Sequence, residues 1–96
     1  MKKLANIKEL EKFFSVKALS NAYVKNSGLQ AILGNFRFGV AICVAGLPDI
    51  PKSYYVECER ISDNTLFPFK PNRLLFGDEE IITKTFVDFA KSNLTR

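Results

Sequence analysis

Apolar residues in the first quarter of the chain recur at the spacing of an α-helix. The stripe at this spacing consists of Leu4, Ile7, Leu10, Phe14, Ala18 and Ala22. Asn6 is a favourable N-cap, and Gly28 is a typical residue at which a helical stretch ends. Apolar residues off the stripe leave two interpretations open. Either one continuous helix is covered on two sides, or the helix breaks near Ser15, which would cap a second helix that begins at Val16.

A β-hairpin is the strongest local signal in the next segment. Gly34 and Asn35 separate two β-like runs, as in a two-residue hairpin loop. Closing this loop pairs Leu33 with Phe36, Ala31 with Phe38 and Leu29 with Val40. These pairs put apolar partners on one face, so the turn and the hydrophobic pattern agree.

The strands after this turn have one bulky and one small face. The middle strand runs from Phe36 to about Ala45; its bulky face carries Phe36, Phe38, Val40, Ile42 and Val44. A loop with two prolines follows at 46–53, and a third strand is predicted over 54–61. Its residues Tyr54, Val56 and Cys58 should share the bulky face. The small face should consist of Arg37, Gly39, Ala41, Cys43, Tyr55, Glu57 and Glu59.

The last third of the chain contains a segment whose secondary structure is hard to assign, followed by a C-terminal helix. Two prolines within 62–77 exclude a regular helix, whereas six large apolar residues there argue against a solvated loop. A short fourth strand is predicted near 73–76, and whether 66–76 closes the core or forms an interface stays open. Asp78 should then cap a C-terminal helix. Its apolar stripe consists of Ile82, Phe86, Phe89, Ala90 and Leu94.

These elements predict one α+β domain over 1–96. The expected architecture has two layers: an N-terminal helix, an antiparallel meander of three to four strands and a C-terminal helix. The simplest packing puts both helices on the bulky face of the sheet and leaves the small face open.

Composition narrows the chemistry that this domain can perform. The chain has no histidine, which removes the commonest acid–base group, and two cysteines are too few for a typical zinc site. Cys43 and Cys58 fall on opposite faces, so we expect no disulfide between them. Glycine-rich phosphate loops and calcium loops are also missing from the sequence. We therefore expect no enzyme, no cofactor and no metal ion, with carboxylate-only catalysis as a distant alternative.

Location is expected to be cytoplasmic. The N-terminus lacks the apolar core of a signal peptide, and no apolar run approaches the ~20 residues that span a bilayer. Charge is divided along the chain: residues 1–25 carry six lysines against two glutamates, whereas 57–80 carry six acids against three bases.

The favoured function is that of a small accessory protein that binds and inhibits another macromolecule, most readily a protein. Phage- and plasmid-encoded inhibitors and immunity proteins share this character. The predicted protein-binding residues are Arg37, Tyr55, Glu57, Glu59, Phe67, Phe69, Lys70 and Arg73. The alternative is nucleic-acid binding through Lys2, Lys3, Lys8, Lys12 and Lys17. A homodimer is compatible with either function.

Overall fold

The computed structural model describes residues 1–25, 27–43 and 53–94. These residues form three helices and one mixed six-stranded sheet in an α+β fold. In chain order the elements are β1 (Lys2–Leu4), α1 (Ile7–Phe13), α2 (Val16–Val24), β2 (Leu29–Leu33), β3 (Phe36–Cys43), β4 (Ser53–Arg60), β5 (Thr65–Phe67), β6 (Arg73–Leu75) and α3 (Glu79–Leu94). The predicted end of the middle strand at Ala45 and most of the loop that follows lie outside the described residues.

The N-terminal helical region is broken, as one of the two interpretations proposed. The Asn6 side chain accepts a hydrogen bond from the backbone N–H of Glu9 at 2.9 Å and caps α1. Ser15 has extended backbone angles, and its Oγ accepts from the N–H of Ala18 at 3.2 Å, which caps α2. The break gives each short helix its own buried stripe, so Leu19 is fully buried although it lies off the first stripe.

The strand at the N-terminus was not predicted. β1 pairs with β2 in parallel, with Lys2 opposite Ala31 and Leu4 opposite Leu33. The prediction of a purely antiparallel meander, and of Leu4 as a helical residue, is therefore wrong. The physical reason is that a three-residue strand with one buried side chain carries no period of its own, and its pairing is distant in sequence.

The central hairpin has the predicted register. Leu33 lies opposite Phe36, Ala31 opposite Phe38 and Leu29 opposite Val40. Between β3 and β4, Phe38 faces Cys58 and Val40 faces Val56, so the predicted bulky face is continuous across three strands. β4 begins and ends one residue earlier than predicted.

The fourth position in the sheet is filled by an interrupted strand. β5 pairs with residues 58–60 of β4, and β6 pairs with residues 53–55. Between them, 68–72 leaves the ladder, although the N–H of Val56 still donates to the carbonyl of Asn72 at 2.9 Å. Proline cannot donate to a ladder, so Pro68 and Pro71 explain the interruption. The sequence located β6 and missed β5.

The helices cover the bulky face of the sheet, as predicted. The Phe86 ring on α3 lies 5.0 Å from the Phe14 ring and 5.4 Å from the Phe38 ring, measured between centroids. The Phe89 ring lies 5.5 Å from that of Phe36. No described element covers the opposite face. Cys43 and Cys58 are free thiols on the two faces of the sheet, in agreement with the predicted lack of a disulfide.

Candidate functional site

The uncovered side of the sheet is the candidate site, and we call it the open face. Directly opposed residues of neighbouring strands share a face, so the register defines its rows. The open face consists of Lys3, Gln30, Ile32, Arg37, Gly39, Ala41, Cys43, Ser53, Tyr55, Glu57, Glu59, Leu66, Arg73 and Leu75. Its features are a centre with small side chains, an internal ion pair, a group of exposed apolar side chains and two further charged residues.

The centre of the open face carries small side chains, because β3 contributes Gly39 and Ala41 there. Gly39 is buried beneath its neighbours: a Cβ at this position would lie 3.6 Å from Cγ of Glu57 and 3.7 Å from Cγ of Gln30. Ala41, two residues along the strand, is exposed. A partner can therefore approach the sheet backbone closely at Ala41, whereas the side chains of Gln30 and Glu57 cover Gly39.

One end of the open face is neutralised internally. Arg37 and Glu59 are cross-strand partners, and Nη2 of the arginine lies 2.6 Å from Oε2 of the glutamate. Half-exposed pairs of this kind contribute at most about 1 kcal/mol to stability. Their main consequence here is that neither charge is left for a partner.

Two apolar side chains of the open face are well exposed. Tyr55 on β4 is 39% exposed, and Leu66 on β5 is 62% exposed. Leu66 lies opposite Glu59, so it flanks the neutralised end of the face. Single exposed apolar residues are ordinary on protein surfaces, but a group of them on one flat face is typical of an interaction site.

Glu57 is the unsatisfied charge at the middle of the open face. Its side chain is exposed, and no ion-pair or hydrogen-bond partner for it occurs within 1–25, 27–43 and 53–94. It projects on the same side of β4 as Tyr55, about 7 Å away along the strand. A cation from a partner could therefore contact both the carboxylate and the tyrosine ring.

Arg73 provides a positive charge at the edge of the same face. It lies directly opposite Tyr55, and its Nε donates a hydrogen bond to Oγ of the buried Ser53 at 3.0 Å. This bond holds the guanidinium group in place, while its residue remains exposed to solvent. Glu57, Tyr55 and Arg73 are thus contiguous.

The structure divides the eight predicted protein-binding residues into three groups. The open face holds Arg37, Tyr55, Glu57, Glu59 and Arg73. Lys70 is exposed but lies in the segment between β5 and β6. Phe67 and Phe69 lie with the helix layer instead.

The rings of Phe67 and Phe69 contact α3, although both residues also line, with Tyr55, Glu57 and Leu66, a cavity of about 160 Å³. Phe67 pairs with the buried Cys58, and its ring packs 5.0 Å from that of Phe89. The Phe69 ring lies 5.5 Å from that of Phe86. Both side chains are half-buried and help to close the core. Leu66, which the predicted set omits, is the outward residue of β5, and only the register of β5 reveals it.

The five predicted nucleic-acid-binding lysines are all exposed but are distributed over β1, α1 and α2. Lys2 and Lys12 line one cavity of about 400 Å³, and the carboxylate residue Glu9 lines it as well. Lys3 lies at the outer edge of the sheet, opposite Ile32. Within the described residues, this cavity contains two of the five lysines.

Titratable groups with raised pKa values lie under the sheet, away from the open face. Burial, and then the neighbouring charge of Glu59, raises the pKa of the Cys58 thiol to about 12. The Tyr54 hydroxyl donates to Oε1 of Glu79 at 3.3 Å, and burial followed by the charge of Glu79 raises its pKa well above the usual value. Both groups stay protonated near neutral pH, and both side chains are fully buried.

Comparison with other proteins assigns no family to the chain. No protein-family model, curated protein or solved structure matches it. In the described part of the chain, no cluster of three or more acidic, cysteine or histidine side chains could hold a metal ion. None of the helices described is long and apolar enough to cross a membrane. The geometry of the open face is therefore the main guide to function.

Proposed function

We propose that this chain is a small, non-enzymatic accessory protein of the cytoplasm that binds another protein through its open face and inhibits it. The observation that supports the proposal is the contiguous group of exposed Tyr55, exposed Leu66 and unpaired Glu57 on the one side of the sheet that the helices leave uncovered. Protein interfaces are enriched in aromatic side chains and commonly combine apolar contacts with hydrogen bonds.

Features of the β6 and β1 edges favour docking on the face over addition of a strand there. At the β6 edge, the N–H of Leu75 donates to Oδ2 of Asp78 at 3.1 Å, and its carbonyl accepts from the Asp78 N–H at 3.2 Å. At the opposite edge, β1 is three residues long and carries Lys2 and Lys3. Short edges, charged side chains and occupied backbone groups all discourage strand pairing.

Tyr55 is the proposed anchor of the interface. Tyrosine is enriched among the residues that contribute most to binding, because its ring buries a large area and its hydroxyl still finds a partner. Glu57 would contribute specificity, since its carboxylate loses water on docking and needs a donor from the partner. The proposed partner therefore presents an apolar surface with a cationic or hydrogen-bonding group beside it.

Affinity capture from the native host tests the proposal. The tagged protein is incubated with host lysate with and without nuclease, alongside Tyr55→Ala, Glu57→Ala and the control Ile81→Ala. Ile81 is 54% exposed on α3, on the other layer of the molecule. We expect the wild-type bait to capture a protein, and nuclease treatment should not remove it. The control variant should capture the same protein normally, whereas both open-face variants should fail to capture it.

Two outcomes contradict the proposal. Retention of nucleic acid without any protein would favour the basic N-terminal segment as the functional surface. Normal capture by both open-face variants would show that another surface binds. Melting curves of each variant check that the loss of binding is not a loss of folding.

A further inference from the structure

The open face is nearly neutral although the whole chain carries a net charge of +4. Arg37 and Arg73 balance Glu57 and Glu59 on it, and Lys3 at the β1 edge adds one positive charge. A net positive charge makes two copies of a protein repel each other. Contact through the open faces keeps the lysines of α1 and α2 of the two copies apart, because these helices lie on the other side of the sheet.

The charges on the open face are also arranged to complement themselves. Arg37 and Glu59 pair with each other within one copy, which leaves the carboxylate of Glu57, the guanidinium of Arg73 and, at the β1 edge, the Lys3 ammonium for a partner. A two-fold axis between Glu57 and Arg73 would place each glutamate over the arginine of the other copy. Because isologous interfaces repeat every contact, one such arrangement produces two ion pairs.

The size of the open face suits such an interface. The strands β2, β3 and β4 contribute 5, 8 and 8 residues, and β5 and β6 contribute 3 each. At about 4.8 Å between strands and about 3.4 Å per residue, they give a flat footprint of about 440 Å². Projecting side chains increase the accessible area above this value. A stable interface buries about 800 Å² on each partner. Tyr55 lies between Glu57 and Arg73, so its ring would pack near the axis of the dimer.

We propose that, in the free protein, a second copy of this chain covers the open face and forms a two-fold dimer with reciprocal Glu57–Arg73 ion pairs. This inference rests on the proposed function, because it names the protein that occupies the same docking face before the target does. Self-association and target binding are then mutually exclusive. The target has to displace the second copy, so the free protein conceals its own binding surface.

Sedimentation velocity of the purified protein over a range of concentrations tests this inference without any other partner. The wild-type protein should move from its 10.9 kDa monomer to a species of twice that mass as its concentration rises. Glu57→Arg alone and Arg73→Glu alone should each weaken dimerisation at least about tenfold, since like charges then meet twice. Lys84→Glu, an exposed charge reversal on α3, is the control and should dimerise like the wild type.

Mixing the two single variants tests the reciprocal ion pairs most directly. In a mixed dimer, the arginine introduced at position 57 of the first variant meets the glutamate introduced at position 73 of the second, and the native Arg73 meets the native Glu57. We therefore expect an equimolar mixture of Glu57→Arg and Arg73→Glu to dimerise at least about tenfold more tightly than either variant alone. Recovery on mixing cannot arise from misfolded variants.

The outcomes separate this inference from the proposed function. A wild-type protein that stays monomeric, or a dimer that neither single variant weakens, overturns the inference and leaves target capture to be judged on its own. Failure of the mixture to dimerise also overturns it. A confirmed dimer without any captured target would support the inference and contradict the proposed function.

Discussion

Replacing Phe86 by leucine should destabilise the protein by about 2 kcal/mol. The Phe86 ring is fully buried where α3 meets the sheet, and its centroid lies 5.0 Å from the Phe14 ring, 5.4 Å from the Phe38 ring and 5.5 Å from the Phe69 ring. Three aromatic pairs at the low end of about 0.5 kcal/mol each account for about 1.5 kcal/mol. The small void that leucine leaves adds the rest.

The variant should still fold, because a domain of this length has a free energy of unfolding of roughly 5–14 kcal/mol. Urea denaturation followed by far-ultraviolet circular dichroism measures the loss, which corresponds to a melting temperature about 10 °C lower. Ile81→Ala on the same helix is the control, and its change should stay within about 0.5 kcal/mol. A Phe86→Leu variant as stable as the wild type would contradict the packing of α3 on the sheet.

Three further predictions concern the cap, the glycines and the buried thiol. Ser15→Ala should cost about 1 kcal/mol in urea denaturation because α2 loses its cap, whereas Ser92→Ala on the exposed side of α3 should be nearly neutral. Gly28→Ala should cost about 1–3 kcal/mol, since its Cβ would lie 2.9 Å from a backbone oxygen of β3. Gly39→Ala should be tolerated, because its Cβ meets only side chains at ordinary contact distance. Equal melting temperatures for the two variants would refute this prediction. Folding raises the pKa of Cys58 from 9.0 to about 12, so the free energy of unfolding should fall as the pH rises above 9, by at most about 1.4 kcal/mol per pH unit. Between pH 8 and pH 10, the free energy of unfolding of Cys58→Ala should therefore fall less than that of the wild type.

Elements with a local signal were predictable from the sequence. The Gly34-Asn35 turn and the alternation that follows determine the register of β2, β3 and β4, and the structure has that register. The caps Asn6 and Ser15 were also recognisable, although the sequence could not choose between a broken and a continuous helix. That choice depends on burial of Leu19 against the rest of the core.

Elements that depend on distant pairing were not predictable. β1 and β5 are three residues long, too short for a period of alternating residues to be visible. Missing β5 had a direct effect on the candidate site: with the register unknown, the two phenylalanines of this segment were assigned to the interface. The structure places them against α3 and leaves Leu66 on the open face.

Site-specific photo-crosslinking in the native host is the most direct test of the open face as a docking surface. A photoreactive amino acid replaces Leu66 on the open face in one variant and Ile81 on α3 in the other; these residues are 62% and 54% exposed. We predict that irradiation yields a discrete protein adduct, or the crosslinked dimer, from the Leu66 position only. Adducts of equal yield from the Ile81 position, or none from the Leu66 position, would contradict the assignment of the open face.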